Sequence, residues 1–234
     1  MGIYIKMDTK KQIGDEPSAH SFFDLLETNG LNIGKIGLFE PVKEAFTREA
    51  AVEMWTKEEP GIFDVSTNTM VGKAGGMIGK GKGFWFSSNW WQHPKEDTLN
   101  HVTLYMNKTF FNQKKAMVPP FFENLVNEFN AIYGYVAEEE SIDRQHTTGN
   151  LLDRLPGVFW LNFYSPVFVD YLTKEQLHHF SWHNIYEQNE GIVTQLSKSP
   201  FDPMMAELEK QAQEAFGTSK FNGRAQDYPD ILGT

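Results

Sequence analysis

The stretch Leu155-Pro156-Gly157-Val158-Phe159-Trp160-Leu161-Asn162-Phe163-Tyr164-Ser165-Pro166 decides the fold. Val158 to Tyr164 is uniformly large and apolar apart from Asn162, the pattern of a central strand covered on both faces. Ser165 then reads as an N-cap and Pro166 as the first helical residue, where the N–H that proline lacks has no intrahelical partner to lose. No pair of residues in this block has the spacing of a nucleophile and its base. The block speaks about fold before function.

Toward the C-terminus, Val167 to Leu172 continues the helix, and Thr173-Lys174-Glu175-Gln176 repeats the start signal as a capping box. His183 to Gln188 and Ile192 to Leu196 flank Asn189-Glu190-Gly191 and predict a hairpin. Asp202-Pro203 opens a last amphipathic helix carrying Met204, Met205, Leu208 and Ala212, with Gly217 past its end. Toward the N-terminus, Ala131 to Ala137 reads as a strand. Phe121 to Phe129 reads as a helix, with Pro119-Pro120 either starting it or interrupting a longer one over 112–130. Val102, Leu104 and Met106 alternate along a strand from His101 to Met106, and Phe84 to Ser88 ends another, with Asn89 to Asn100 as their connection. The glycine-dense run Val71 to Gly83 reads as a mobile hairpin entering that strand. Thr47 caps a helix through Lys57, Leu31 to Phe39 is a strand limited by Pro41, and His20 to Glu27 is a short helix. This order predicts an α+β fold, a largely antiparallel sheet with helices packed mainly on one side. We expect a single domain over 1–234, its core about 20–217 and a polar tail over 218–234.

Composition bounds the function. With 234 residues, 40% hydrophobic and 14% aromatic, the chain can bury a sizeable core. Zero Cys excludes a disulfide framework, thiolate metal sites and a cysteine nucleophile, and fits a reducing compartment. The start, Met1-Gly2-Ile3-Tyr4-Ile5-Lys6-Met7-Asp8, lacks the apolar run of a signal peptide, and no stretch approaches the roughly 20 apolar residues that span a bilayer. The expected setting is the cytoplasm, with no membrane partner. A formal charge of −10, from 31 Asp and Glu against 21 Lys and Arg, repels phosphate backbones and attracts basic partners, so nucleic acid is not an expected partner. The same charge also serves solubility.

Five motifs invite chemistry. Gly76 to Lys82 fits G-x-x-x-x-G-K, but Gly83 stands where a phosphate loop needs Ser or Thr, and a strand follows where it needs a helix. His178, His179 and His183 lie within six positions without the H-E-x-x-H signature, while His20, His93, His101 and His146 are isolated; no metal or other cofactor is expected. Ser165 is followed by proline, not set in a nucleophile elbow. Glu138-Glu139-Glu140 with Asp143 supplies four carboxylates after a strand, which read either as a solvated acidic loop or as an electrostatic contact surface. Trp90-Trp91 lies in the expected connection and reads either as an interface anchor or as a closure of the core edge.

Four ordered blocks resemble a known group: Lys80-Gly81-Lys82-Gly83-Phe84-Trp85-Phe86-Ser87-Ser88, Thr103-Leu104-Tyr105-Met106, Tyr133-Gly134-Tyr135-Val136-Ala137-Glu138-Glu139, and Leu155 to Phe163. Together they resemble immunity proteins of bacterial polymorphic-toxin and type VI secretion systems, specifically immunity protein family fifty-two, over roughly 31–196. The resemblance implies a small α+β protein that binds one cognate protein toxin, whose own site could be basic, and blocks it by contact in the producing cell. On that reading Glu138, Glu139, Glu140, Asp143, Trp90 and Trp91 are the candidate partner-binding residues, with no catalytic residue. Two alternatives stand beside it: a hydrolase using Glu138 to Glu140 with a histidine brought near by the fold, and a scaffold module. The oligomeric state is left open.

Overall fold

The computed structural model describes residues 2–64, 68–145, 151–221 and 227–233. His146 and residues 222–226 and 234 of the expected tail lie outside them. In chain order the elements are β1 (Gly2–Thr9), α1 (Glu16–Thr28), β2 (Ile33–Gly37), β3 (Glu44–Ala45), α2 (Arg48–Thr56), β4 (Glu59–Asp64), β5 (Thr69–Gly81), β6 (Phe84–Gln92) and β7 (Asn100–Asn107). There follow α3 (Lys108–Lys114), α4 (Val118–Glu128), β8 (Tyr133–Glu138), α5 (Glu139–Gln145), β9 (Leu161–Tyr164), α6 (Pro166–Leu172), α7 (Lys174–His179), β10 (Asn184–Gln188), β11 (Gly191–Gln195) and α8 (Met205–Phe216). The fold is α+β with an antiparallel sheet. The chain divides into two compact units, Lys6–Ala131 and a second made of Met1–Ile5 with Ile132–Thr234.

In the Lys6–Ala131 unit the strand order is β1-β7-β6-β5-β2-β3, and β4 also pairs with β5. One face of this sheet is sealed by helices. Phe86 of β6 meets Phe22 of α1 with ring centroids 5.0 Å apart, Phe22 meets Trp55 of α2 at 5.3 Å, and Phe22 meets Phe129, the C-cap of α4, at 6.4 Å. The Phe86 and Phe129 pairs with Phe22 are edge-on, a geometry that adds to the stabilisation already given by area burial. Three helices of this unit, α1, α2 and α3, start at a capping side chain. Asp15 accepts from Ser18 N at 2.8 Å, Thr47 accepts from Ala50 N at 3.2 Å, and Asn107 accepts from Phe110 N at 2.9 Å. In α4 the prolines fall in the first turn, so Pro119-Pro120 belongs to the start of the helix and interrupts nothing.

The glycine run is corrected by the structure. It is not a mobile hairpin but the thirteen-residue strand β5, paired with β6 from Lys73 to Gly81 and with β4 and β2 along its other edge. Three of its glycines sit directly across from aromatic residues of β6: Gly75 from Trp90, Gly79 from Phe86 and Gly81 from Phe84. A Cβ at any of the three would enter the facing ring, so the rings lie flat over bare backbone and cover it. With this run a strand, it offers no helix N-terminus to a phosphate.

In the other unit the order is β10-β11-β9-β8-β1. β8 is buried along its whole length, as is β9, which makes this the doubly covered part expected from the opening stretch. The strand itself is shorter than Val158 to Tyr164. Val158 and Phe159 are held instead by side chains: Gln145 bridges both the N–H and the C=O of Val158, and Asn162 Oδ1 accepts from Phe159 N at 2.7 Å. That turn gives the one polar residue of the block its purpose. Ser165 does precede α6, but its hydroxyl makes no cap hydrogen bond; Phe168 N and Val169 N bond its carbonyl. Thr173 caps α7 through Gln176 N at 3.2 Å, and the β10–β11 hairpin turns through Asn189 and Glu190, both at positive φ. Part of the tail is docked: Phe221 and Ile231 are buried, and the Tyr228 hydroxyl donates to Leu151 O.

Candidate functional site

The helix-free face of the Lys6–Ala131 sheet is where chemistry gathers. Because side chains alternate along a strand, sealing Phe84, Phe86, Ser88 and Trp90 against the helices turns Trp85, Ser87, Asn89 and Trp91 the other way. The register then builds rows across this face. Lys80, Trp85 and Tyr105 stand opposite one another, as do Ile78, Ser87 and Thr103, and then Gly76, Asn89 and His101. Trp85 and Tyr105 stack at 5.7 Å with planes 20° apart, and both stay partly exposed. The result is an aromatic platform flanked by hydroxyl, amide and imidazole groups, a mixture suited to holding a polar protein surface.

At the β1 end of this face Lys6 Nζ lies 3.3 Å from Asp8 Oδ1, while Asp8 Oδ2 is buried with no hydrogen-bond partner among the described residues. Burial, aided by the Lys6 charge, lowers the pKa of His101 below the ordinary imidazole value, although Asp8 opposes it. The imidazole is therefore neutral at pH 7. Among the described residues no hydrogen bond joins it to a hydroxyl, so the geometry gives no activated nucleophile there. Near the other end, residues Leu38 to Glu40, Lys57, Glu59 and Ala74 to Ile78 line, with Trp85 and Ser87 to Asn89, a groove of about 590 Å³. Glu40 is held below its ordinary carboxyl value first by its hydrogen bond to Lys80, 2.7 Å away.

The tryptophan pair is divided by β6, which extends to Gln92 and leaves no connection at 89–92. This corrects the expected placement. Trp90 is a core residue, 4% exposed, whose indole donates to Trp55 O at 2.7 Å. Trp91 lies on the opposite, open face beside His93, partly exposed, although its Nε1 is buried and has no hydrogen-bond partner among the described residues. Of the pair it is the ring that reaches the surface.

The acidic run belongs to the other unit, and it is not a loop. Glu138 ends β8 and is buried, while Glu139 and Glu140 form the first turn of α5, where the helix dipole favours them. Glu140 and Asp143 are exposed and Glu139 is partly so. Arg144, at the end of the same helix, donates to both oxygens of Glu209 on α8, from Nε at 3.2 Å and Nη2 at 3.1 Å to one, and from Nη2 at 3.3 Å to the other. Arg144 also bonds Ser141 Oγ at 3.0 Å. Burial raises the Glu209 carboxyl above its ordinary value despite Ser141 and Arg144, and the Glu138 charge adds to the rise. Sequence reasoning missed this cluster because Arg144 and Glu209 are 65 residues apart. The polar residue Glu209 on the buried side of an amphipathic helix was its only local signal.

Of the three clustered histidines, His178 and His179 fall in the last turn of α7, where His179 Nδ1 lies 2.7 Å from Glu175 O, and His183 lies beyond the helix. Among the described residues no three His, Cys, Asp or Glu side chains come together as a metal site. No helix among them is long and apolar enough to cross a membrane.

Neither the protein-family models nor the curated proteins give a match to this chain. Among solved structures, the fold is similar to that of the Pseudomonas aeruginosa T6SS protein PA0821, with a TM-score of 0.63 and 11% sequence identity over 94% of this chain and 76% of that one. At that identity the likeness is one of fold.

Proposed function

We propose that this chain is an immunity-type protein that binds one toxin of its own cell's secretion machinery and neutralises it by contact, without catalysis or cofactor. The observation that carries the reading is the fold likeness to a T6SS protein over 94% of the chain. The four sequence blocks that resemble immunity proteins support it from a separate direction. The open face adds a physical means, since an aromatic platform rimmed by polar groups is the composition of a protein-binding patch. The net charge of −10 suits a basic partner. In this reading the site of action is the cytoplasm of the producing cell, and the partner is a protein, not nucleic acid or membrane.

The test is co-expression with a toxin encoded beside this gene, scored by growth rescue and by co-purification. Rescue with a stable complex is expected. Growth arrest without a complex overturns the reading, and rescue by substrate turnover without a complex replaces it with an enzyme. Binding kinetics then locate the surface. Trp85→Ala or Trp91→Ala should speed dissociation by on the order of 2 kcal/mol if either indole is an anchor. Neutralising Glu139, Glu140 and Asp143 should slow association mainly at low salt, because exposed carboxylates act at a distance that salt screens.

A further inference from the structure

Four of the five exposed large apolar residues among those described lie in one part of the Lys6–Ala131 unit: Phe39 at 69% exposure, and Ile62, Phe63 and Met70 at 50%, 51% and 50%. Three of them belong to the β4–β5 hairpin, where Phe63 stands opposite Met70 and Ile62 opposite Val71. Ile62 and Phe63 are consecutive, so they occupy opposite faces of β4, and both faces are open. Among the described residues β4 pairs with β5 alone, leaving its outer edge without a strand. Soluble proteins blunt such edges with lysine, proline or a cover. Here Pro60 blunts one position, and β4 has no Lys or Arg.

A second open edge lies one strand inward, on β5. β4 meets β5 as far as Glu59 opposite Ala74, and β2 meets the same edge of β5 from Gly37 opposite Ile78. Among the described residues Gly75 to Met77 therefore have no strand beside them on that edge, and this gap is the floor of the groove lined by Phe39, Lys57 and Glu59. Charge narrows what fits. Glu58 is engaged by Lys73 at 2.7 Å and Glu40 by Lys80 at 2.7 Å, but Glu59 stands opposite uncharged Ala74. A second copy would bring the same acid-marked strand, on a chain of charge −10, against this one. An incoming strand with a basic flank meets no such repulsion.

We propose that the outer edge of β4 and the adjoining groove take up an extended segment of the protein partner, apolar in its centre and flanked by Lys or Arg, which adds as a strand. This deepens the immunity reading and rests on it. Main-chain hydrogen bonds supply affinity, Ile62, Phe63 and Phe39 receive the apolar side chains, and Glu59 meets the basic flank.

The probes are two capped peptides, Lys-Thr-Ile-Val-Ile-Thr-Lys and the same sequence with Glu at both ends, added to the full chain and followed by amide hydrogen exchange and fluorescence anisotropy. The lysine-flanked peptide should bind and slow exchange in β4, and the glutamate-flanked one should not. Replacing Ile62→Lys and Phe63→Lys together should weaken binding about tenfold or more, while the urea midpoint stays near the parent's because both side chains are exposed. Glu59→Lys should reverse the preference between the peptides and so controls for any folding defect. Equal binding of both peptides, protection away from β4, or no binding of either overturns the proposal. Self-association of the parent that the double variant abolishes overturns it in favour of a second copy. Growth rescue by the double variant at parental strength removes this edge from the toxin contact while leaving the immunity reading intact; failure of rescue by the parent removes that reading itself.

Discussion

Adding one methyl group at Gly79 tests the reading of β5. In the structure a Cβ there would lie 3.1 Å from Phe86 Cδ1 and nearer still to Cε1 and Cζ, well inside the 3.5–4.0 Å at which carbon atoms pack. Phe86 is fully buried and fixed by Phe22 and Phe23, with centroids 5.0 and 6.2 Å away, so the ring has no open side to retreat into. Overpacking of this kind costs about 1–3 kcal/mol. At a strand glycine with free space above it, the same change would instead stabilise by a few tenths, because alanine loses less chain entropy on folding. The two expectations differ in sign. Urea denaturation of Gly79→Ala should lower the midpoint, and a cycle with Phe86→Leu should show the two changes costing less together than in sum, since the smaller side chain leaves room for the methyl. A midpoint equal to or above the parent's, or strict additivity, would refute the claim that the ring covers the glycine.

Trp160→Ala should destabilise by about 3–5 kcal/mol, since it empties a buried indole site and strands the Ser197 carbonyl that the indole bonds at 2.8 Å; an unchanged urea midpoint would contradict it. Burial holds the Glu209 carboxyl above its ordinary value, so its contribution to stability is full below pH 4.5 and falls as pH rises through the raised folded value. Arg144→Met should therefore destabilise by up to about 3 kcal/mol at pH 7, where the buried carboxylate loses its cation, and the gap to the parent should close as acid protonates Glu209; a gap independent of pH would count against the pairing. Glu190→Gly should raise the stability by roughly 0.5 kcal/mol, because Glu190 sits at φ 62 in the β10–β11 turn, where Asn-Gly is the favoured pair; hydrogen exchange of the hairpin would show slower opening.

What the sequence made legible was local. Thr47 and Thr173 cap the helices they were expected to cap, and the Asn189-Glu190 hairpin and the alternation of Val102, Leu104 and Met106 hold because each signal lies within a few residues. Ile3, Ile5 and Met7 alternate along β1 and are buried, but so short an alternation is a weak strand signal without its neighbours. β4 and the first part of β5 were hidden by Pro60, Gly61 and the glycine run, whose strand conformation is set by neighbours supplied from β6, a tertiary effect that outweighs residue propensity. The candidate site fared likewise. Extending β6 by four residues would have placed Trp90 and Trp91 on opposite faces by alternation alone. The open face, in contrast, needed the pairing of β5, β6 and β7 before Trp85, Ser87, Thr103 and His101 became neighbours. Glu138 reads as one of a solvated run, whereas the structure buries it at the end of β8, near enough to Glu209 for its charge to raise that carboxyl.

The glycines under the rings of β6 also carry positional information. A glycine-rich strand ordinarily slides against its neighbour, because one alignment buries about as much as the next. Here a slip of one residue would push the side chain of Ile78 or Lys80 beneath Phe86 and leave Gly79 facing Ser87 or Trp85, while a lysine, Lys80 or Lys82, came beneath Phe84 in either direction. Three bare positions thus work as a lock on alignment along a strand that hydrophobic alternation alone would leave ambiguous. In a lineage of such proteins, each of these glycines and its aromatic partner should change together or stay together.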